Sequence, residues 1–255
     1  EEVSQEFLGI SMAEEPVPVR PGMHYIMGGI KTDYNGATIV PGLYAAGECA
    51  NVSVHGANRL GGNSLAEILI FGKRVGNAAV NYSRNINSQY RCLKTVNKSF
   101  DILERKLVSG KQIATKMIYE LRSIMWEYCG VVRDEKKLEK GIKKIKDLIN
   151  QSDDIHAKVN LYSQADLINK FELESSLITS LATAKSALER RESRGAHQRS
   201  DYTEISNSGN CNFYAEYKNN KILITKKETK DLELHLKVIL GKSPKVMSLK
   251  GRLLE

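Results

Sequence analysis

The side chains that could do chemistry lie in a glycine-rich region, residues 22–76, which holds 11 of the 19 glycines. Concentrated glycine allows the backbone to turn sharply or to approach a bulky ligand. Arg59 lies there between small residues and away from acidic runs. Its planar guanidinium is therefore available to hold a carboxylate through two parallel hydrogen bonds. His24 is a second candidate, although an isolated histidine is more often structural.

Two further features of this region favour a bound ligand. Glu48 follows the apolar segment 43–46, and a carboxylate at the end of a buried strand can accept hydrogen bonds from ligand hydroxyls or cap a neighbouring loop. Residues 61–62 lead into a helix predicted from Asn63 or Ser64, whose free N–H groups and positive dipole end would stabilise an anion. Without a ligand, Asn63 or Ser64 would be only an N-cap, worth about 1 kcal/mol.

Four motifs extend this pattern along the chain. They are RPGMHYIMGGI at residues 20–30, GLYAAGE at 42–48, HGANRLGGNSL at 55–65 and ESRGAH at 192–197. Taken in this order, over roughly residues 5–202, they resemble the back half of the flavoprotein subunit of succinate dehydrogenase and fumarate reductase. The motif that contains Arg59 is far more specific than a lone glycine motif.

The resemblance implies FAD as the cofactor and a dicarboxylate, succinate or fumarate, as the substrate. Succinate would give a hydride to the flavin while a base takes the vicinal proton, or the reverse would occur with fumarate. The resemblance assigns substrate binding to His24 and Arg59. The residues expected to bind FAD are Glu48, Asn63, Ser64 and Leu65.

Three more residues of the motifs receive other interpretations. For His55, both a hydrogen bond that positions the Arg59 loop and direct ligand contact remain open. Arg194 and His197 are interpreted as a packing and ion-pair motif that holds the helical module to the flavin module. We do not expect these two residues to be catalytic.

Several parts of the family pattern are not found in the sequence. They are the Gly-x-Gly-x-x-Gly turn, the nearby histidine that forms a covalent flavin bond, and the capping domain with its proton-transferring arginine. We therefore assign no catalytic residue within this chain and expect an upstream part to be missing. The 255 residues alone are expected neither to retain flavin tightly nor to turn over. The direction of the reaction stays open.

Hydrophobic periodicity predicts an α/β plus α fold in three parts. For residues 1–97, the resemblance implies the C-terminal portion of a Rossmann-like FAD-binding domain. Residues 98–205 are expected to form an antiparallel three-helix bundle, and residues 206–255 a β-hairpin and tail.

The periodicity also predicts individual elements within these parts. The first helix is expected to carry Leu65, Ile68, Leu69, Val75 and Ala79 on one apolar face, with Gly72 and Gly76 allowing close packing. The full set comprises strands at 38–40 and 43–46 with a Pro41-Gly42 turn, helices from 63 or 64, at 112–129, 135–149 and 163–192, and a hairpin of 212–217 with 221–225.

The net charge of +8 belongs to the back half of the chain. Residues 1–75 carry 5 basic and 8 acidic side chains, whereas residues 76–151 carry 16 basic and 8 acidic ones. The lysines alternate with acids on predicted helix faces, which is typical of a solvated surface. We therefore expect no nucleic-acid partner.

The four cysteines are too far apart in sequence to form an iron–sulfur or zinc ligand set, and no metal site is expected: Cys49, Cys92, Cys129 and Cys211. Electrons are therefore expected to leave the flavin through an iron–sulfur partner subunit. No apolar run of 18 residues occurs. We expect a cytoplasmic chain, held at the inner face of the cell membrane through its iron–sulfur and membrane-anchor partners.

Two alternatives remain open beside a succinate dehydrogenase or fumarate reductase. L-aspartate oxidase shares the architecture and the His-Gly-Ala-Asn-Arg run, although the sequence after Arg59, Leu60-Gly61-Gly62, favours the succinate and fumarate enzymes. A non-catalytic assembly module is the alternative from another class. Such a module would use the helices and the hairpin to bind partner chains and would carry no flavin.

Overall fold

The computed structural model describes residues 2–19, 22–86, 93–107, 110–157 and 164–229. The chain divides into two compact units. The first unit is Glu1–Leu107 with Arg194–Gln198, and the second is Val108–Ser193 with Arg199–Glu255. The predicted start of the third bundle helix at residue 163, and the tail from residue 230 onward, lie outside the described residues.

The first unit combines helices with one short parallel strand pair. Strand β1 (Ile30–Lys31) pairs with strand β2 (Ala50–Asn51), with Ile30 opposite Ala50. The helices of this unit are α1 (Glu2–Leu8), α2 (Asn63–Arg84) and α3 (Leu93–Lys106). The sequence-based interpretation missed α1 and α3.

The strands predicted at 38–40 and 43–46 are wrong. Only an isolated bridge between Ala37 and Tyr44 forms in this stretch. The Thr38 hydroxyl accepts a hydrogen bond from the Val40 amide at 3.0 Å, and such a local bond offers the backbone an alternative to a strand ladder. Alternation of residue types could not reveal this competition.

The turn between these two segments is confirmed. The Leu43 amide donates to the Val40 carbonyl at 3.0 Å, and Gly42 has a φ of 84°. Proline at the first central position and a glycine with positive φ at the second are the residues that a type II turn requires. The turn therefore survives even though the flanking strands do not form.

Helix α2 begins where the sequence predicts, but its expected apolar face is mostly exposed. Leu65 is 63% exposed and Leu69 is 72% exposed. A methyl group added at Gly72 or Gly76 would meet nothing within 4 Å, so the predicted close packing at these glycines is wrong within the described residues. Periodicity identifies an apolar face, but it does not say what covers that face.

The second unit is built on three helices, α4 (Ala114–Cys129), α5 (Glu135–Gln151) and α6 (Ala165–Glu189). They contact one another and share one hydrophobic core. Asp134 caps α5 by accepting a hydrogen bond from the Lys137 amide at 2.8 Å, which satisfies one of the amides that a helix start leaves unpaired. None of the helices in the described ranges is both long and apolar enough to cross a membrane.

A two-stranded antiparallel pair follows, β5 (Cys211–Lys218) and β6 (Lys221–Glu228). Asn219 and Asn220 connect the strands with φ angles of 51° and 56°. Two consecutive positive φ values make a type I′ turn, whose twist matches that of the strands. Ile222 of β6 is buried in the core of the helices.

A buried arginine closes the C-terminal end of α6. Two further short strands are β3 (Val132–Arg133) and β4 (Gln198–Arg199). Arg199 is the last residue of β4. Its Nη1 donates to the Ala187 carbonyl at 3.0 Å, which satisfies one of the acceptors that a helix end leaves free. Its Nε and Nη2 each donate to Asp201 at 2.7 Å.

Asp201 also reaches the beginning of α5. The Glu135 amide donates to its Oδ2 at 2.8 Å. The hydrogen bonds from Arg199, together with these amide bonds, lower the pKa of Asp201 to about 2, although burial acts in the opposite direction. One carboxylate therefore links the start of α5 to the end of α6.

We expect Asp201→Asn to destabilise the chain at neutral pH by about 1–2 kcal/mol. The hydrogen bonds that lower the Asp201 pKa stabilise its ionised carboxylate in the folded state, and asparagine cannot carry that charge. This contribution is complete above the unfolded pKa of 3.8 and is lost as the pH falls towards about 2. Urea unfolding of both proteins between pH 6 and about pH 2 measures the difference. The difference should shrink in acid, whereas Asp147→Asn on the exposed side of α5 should change little at any pH.

Candidate active site

A buried carboxylate on α2 lies at the centre of the site. Glu67 is 5% exposed. Its Oε2 accepts a hydrogen bond from the Tyr25 hydroxyl at 2.5 Å and lies 2.7 Å from Nε2 of His55. The rings of Tyr25 and His55 meet edge to face, with centroids 5.3 Å apart. Residues from three segments of the first unit therefore meet at one oxygen atom.

Arg59 lies against this cluster. Its Cζ atom is 4.9 Å from the centroid of the Tyr25 ring, which is the geometry of a cation–π contact. Its Nη1 donates to the carbonyl of Leu60 at 3.2 Å. Its Nε is buried and has no hydrogen-bond partner among the described residues. No carboxylate in the described part of the chain forms an ion pair with Arg59.

His24 and Glu48 flank the same cluster. His24 is exposed and directly precedes Tyr25. Glu48 does not end a strand as predicted, because it lies in a single 3₁₀ turn, Gly47–Cys49, in which Gly47 has a φ of 76°. Its Oε1 accepts a hydrogen bond from the amide of Ile26 at 3.0 Å. Glu48 is exposed, so the rest of its carboxylate faces solvent.

The beginning of α2 completes the site. The N-cap is Gly62, with a φ of 80°, and no side chain makes a capping hydrogen bond there. The alternative in which Asn63 or Ser64 is an N-cap is therefore wrong. The Asn63 amide donates to the Leu60 carbonyl at 3.2 Å and the Leu65 amide to the Gly62 carbonyl at 3.0 Å. Because no side chain caps this turn, the positive end of the helix dipole is available to a ligand. Leu65 is exposed beside them.

The turn that follows α6 packs against the loop of Arg59. The Arg194 amide donates to the His197 carbonyl at 2.8 Å, and the Ala196 amide donates to the Ala57 carbonyl at 3.0 Å. A methyl group at Gly195 would be 2.5 Å from that same Ala57 oxygen, so only glycine fits there. The turn at residues 194–197 therefore packs on Ala57. Its expected role in holding the helical module to the flavin module stays a prediction.

The residues expected to bind ligand are therefore brought together around two residues that were not predicted. Tyr25 and Glu67 carry the contacts between the His24, Arg59 and α2 segments. The sequence did contain a signal for Glu67, because this acidic residue lies between the apolar residues Ala66 and Ile68 in a predicted amphipathic helix. Tyr25 lies inside the His-Tyr-Ile-Met-Gly-Gly motif and carried no separate signal.

Comparisons with known proteins show which sequences and folds this chain resembles. A family model described as "FAD binding domain" matches residues 1–65, and one described as "Fumarate reductase flavoprotein C-term" matches residues 118–243. The fumarate reductase flavoprotein subunit of Haemophilus influenzae is 39% identical over 209 residues, which are 80% of this chain and 35% of that protein. The mitochondrial succinate dehydrogenase flavoprotein subunit of Oryza sativa is 37% identical over 216 residues, 80% of this chain and 34% of that protein.

A solved structure shows the same similarity. The FrdA subunit of Escherichia coli quinol fumarate reductase, in a mutant form, superposes with a TM-score of 0.82 at 32% identity and covers 91% of this chain and 41% of that one. The prediction of an α/β fold with mostly helices is confirmed at that level. The chain spans about a third of the length of the curated relatives it matches.

The match to the FAD-binding family model confirms the prediction of FAD as the cofactor. More narrowly, the chain is similar in sequence and fold to part of the flavoprotein subunits of fumarate reductase and succinate dehydrogenase.

The residues present fit the family's ligands. Two buried polar atoms, Nε of Arg59 and Nδ1 of His55, have no partner in the described part of the chain, and buried polar groups normally have one. An anionic ligand beside Arg59 would satisfy the guanidinium. The uncapped start of α2 suits the electron-rich edge of a flavin, because a helix N-terminus stabilises negative charge.

Tyr25 provides a direct test of the buried cluster. Burial, with the hydrogen bond to Glu67, raises the pKa of Tyr25 from 10.0 to about 12. We expect Glu67→Gln to lower this pKa towards 10, because the carboxylate charge beside the phenol is removed. Ultraviolet titration of tyrosinate measures it, and Tyr25→Phe assigns the signal.

The sign of the effect on stability follows from the same shift. The folded protein favours the protonated Tyr25 hydroxyl, so its contribution to the free energy of unfolding is complete below pH 10. This contribution is lost as the pH rises through about 12. A titration of Tyr25 that is the same in the native and Glu67→Gln proteins would contradict the contact.

Proposed function

We propose that this chain binds FAD and a dicarboxylate in a flavoprotein subunit that interconverts succinate and fumarate. The observation that carries the proposal is the guanidinium of Arg59. It is half-buried, and its Nε is buried with no partner among the described residues. A buried N–H donor that has no acceptor in the protein can donate to the oxygen of a bound carboxylate.

The position of Arg59 indicates how it would hold the substrate. Nη1 is occupied by the Leu60 carbonyl, so the edge formed by Nε and Nη2 remains for the ligand. Two parallel N–H donors on that edge match the two oxygens of a carboxylate. His24, exposed beside Tyr25, would contact the same ligand. Holding the substrate in one orientation converts a bimolecular encounter into an aligned reaction.

The residues that would hold the cofactor surround this position. Bound FAD supplies the hydride acceptor, or the hydride donor in the opposite direction. Glu48 would accept hydrogen bonds from cofactor hydroxyls, since it is fixed by the Ile26 amide and otherwise faces solvent. Asn63, Ser64 and Leu65 would contact the cofactor with the first turn of α2, where the dipole favours negative charge.

The finer architecture belongs to the same proposal. Residues 1–97 would be the C-terminal portion of a Rossmann-like FAD-binding domain, residues 98–205 an antiparallel three-helix bundle domain, and residues 206–255 a hairpin and tail. The mutual contacts of α4, α5 and α6, and the pairing of β5 with β6, support the last two assignments. No residue of this chain is assigned the proton transfer, which the family gives to an arginine of its capping domain.

We also propose that electrons pass to an iron–sulfur subunit, and that membrane-anchor subunits hold the assembly at the inner face of the membrane. Relatives named as quinol fumarate reductase and as succinate dehydrogenase [ubiquinone] support this assignment, since both names pair the flavoprotein with a quinone-linked enzyme. Flavin absorbance together with turnover on succinate, fumarate and L-aspartate discriminates the candidates. A protein that stays colourless after reconstitution with the upstream half of a flavoprotein subunit would favour the assembly module.

In a flavin-loaded, complete flavoprotein subunit that includes this chain, we expect Arg59→Ala to lower kcat/KM for succinate or fumarate on the order of 100- to 1000-fold, because a charged partner of the carboxylate is lost. Arg59→Lys should recover only part of this, since an ammonium group cannot offer two parallel donors. Steady-state kinetics on both substrates measures the change.

The matched control is Arg84→Ala, an exposed arginine in the last turn of α2. It should retain the native kcat/KM, because its charge lies at the far end of the helix from the site. Equal kinetics for the native and Arg59→Ala proteins would remove the main support for the proposed function.

A further inference from the structure

We propose that Glu67 and Tyr25 are positioning residues that hold the Arg59 guanidinium in its ligand-binding orientation. The inference rests on the proposed function, since it concerns the same dicarboxylate site. Neither residue needs to touch the substrate. Glu67 acts through Tyr25 and His55, and Tyr25 acts on Arg59 directly.

The first observation is the cost of burying Glu67. A carboxylate that loses its hydration destabilises the fold unless hydrogen bonds replace the water. Glu67 is 5% exposed and has two partners, Tyr25 and His55, on the same oxygen. Both partners belong to the segments that surround Arg59, so the carboxylate ties those segments to the rigid helix α2.

The second observation is the orientation of the Tyr25 ring. Its hydroxyl is fixed by the 2.5 Å bond to Glu67, and its edge-to-face contact with His55 fixes the tilt of the ring. Arg59 lies over this ring with Cζ 4.9 Å from the centroid. An aromatic face attracts a guanidinium and also limits where it can rest. The ring therefore sets the plane in which Arg59 presents its free edge.

The third observation is the position of His55 in the Arg59 loop. It lies four residues before Arg59, and its side chain is 6% exposed. Its contact with Glu67 anchors the loop from one side, while the Leu60 carbonyl holds Nη1 from the other. An arginine side chain loses considerable rotamer freedom when it is fixed. Fixing it before the ligand arrives removes that cost from binding.

The test uses a flavin-loaded, complete flavoprotein subunit that includes this chain, and malonate, a dicarboxylate that lacks the vicinal hydrogens needed for reaction. We expect Glu67→Leu to raise the malonate Kd on the order of 100-fold, the scale that misplacement of a binding group produces. Tyr25→Phe keeps the ring beneath Arg59 and loses only the tether, so we expect about a 10-fold increase. The matched control is Glu139→Leu on the exposed side of α5, which should keep the native Kd.

A double-mutant cycle separates positioning from a general structural effect. If Glu67 acts through Arg59, adding Glu67→Leu to Arg59→Lys should raise the malonate Kd by much less than it does in the native protein. Equal fold-changes in the two backgrounds would overturn the inference. Bound flavin and the thermal midpoint are measured for each protein. Should Glu67→Leu fail to fold, the same cycle with Tyr25→Phe decides.

The outcomes also separate this inference from the proposed function. A native flavin-loaded protein that does not bind malonate would contradict the proposed function itself. Native binding together with an unchanged Kd in Glu67→Leu and Tyr25→Phe would leave the function standing and would refute the positioning role.

Discussion

The first unit depends on one buried carboxylate. Glu67 loses nearly all of its contact with water, and a charge in that position is tolerated only because Tyr25 and His55 both reach it. This requirement determines how the loops around α2 are held. Tyr25 and Glu67 are more than 40 positions apart in sequence, so the site forms only when the two segments pack together.

The second unit contains a buried positive charge, the guanidinium of Arg199, which is also paired inside the protein. Arg199 is fully buried and divides its donors between the carbonyl groups at the end of α6 and the carboxylate of Asp201. It is a structural arginine because its fork is fully used inside the protein. Arg59 differs in that Nε has no partner among the described residues. The same side chain thus closes a helix in one unit and is left available for a ligand in the other.

Local rules predicted the elements whose stability is local. The type II turn at Gly42, the start of α2 and the spans of α4 and α5 follow from glycine conformation and from apolar periodicity. The strands around Thr38 failed because a side-chain hydroxyl competes with strand pairing. The exposed side of α2 was also unpredictable, because periodicity does not identify the partner that covers a face.

The sequence by itself indicated the family resemblance and the candidate ligand-binding residues, since motifs such as His-Gly-Ala-Asn-Arg are far more specific than a lone glycine motif. It did not determine that Glu48 lies in a 3₁₀ turn, nor that Tyr25 and Glu67 join the separate motifs. Only the tertiary structure decided these points. Burial, and with it the need of a charge for partners, is created when distant segments pack together, and no single segment of the sequence contains that information.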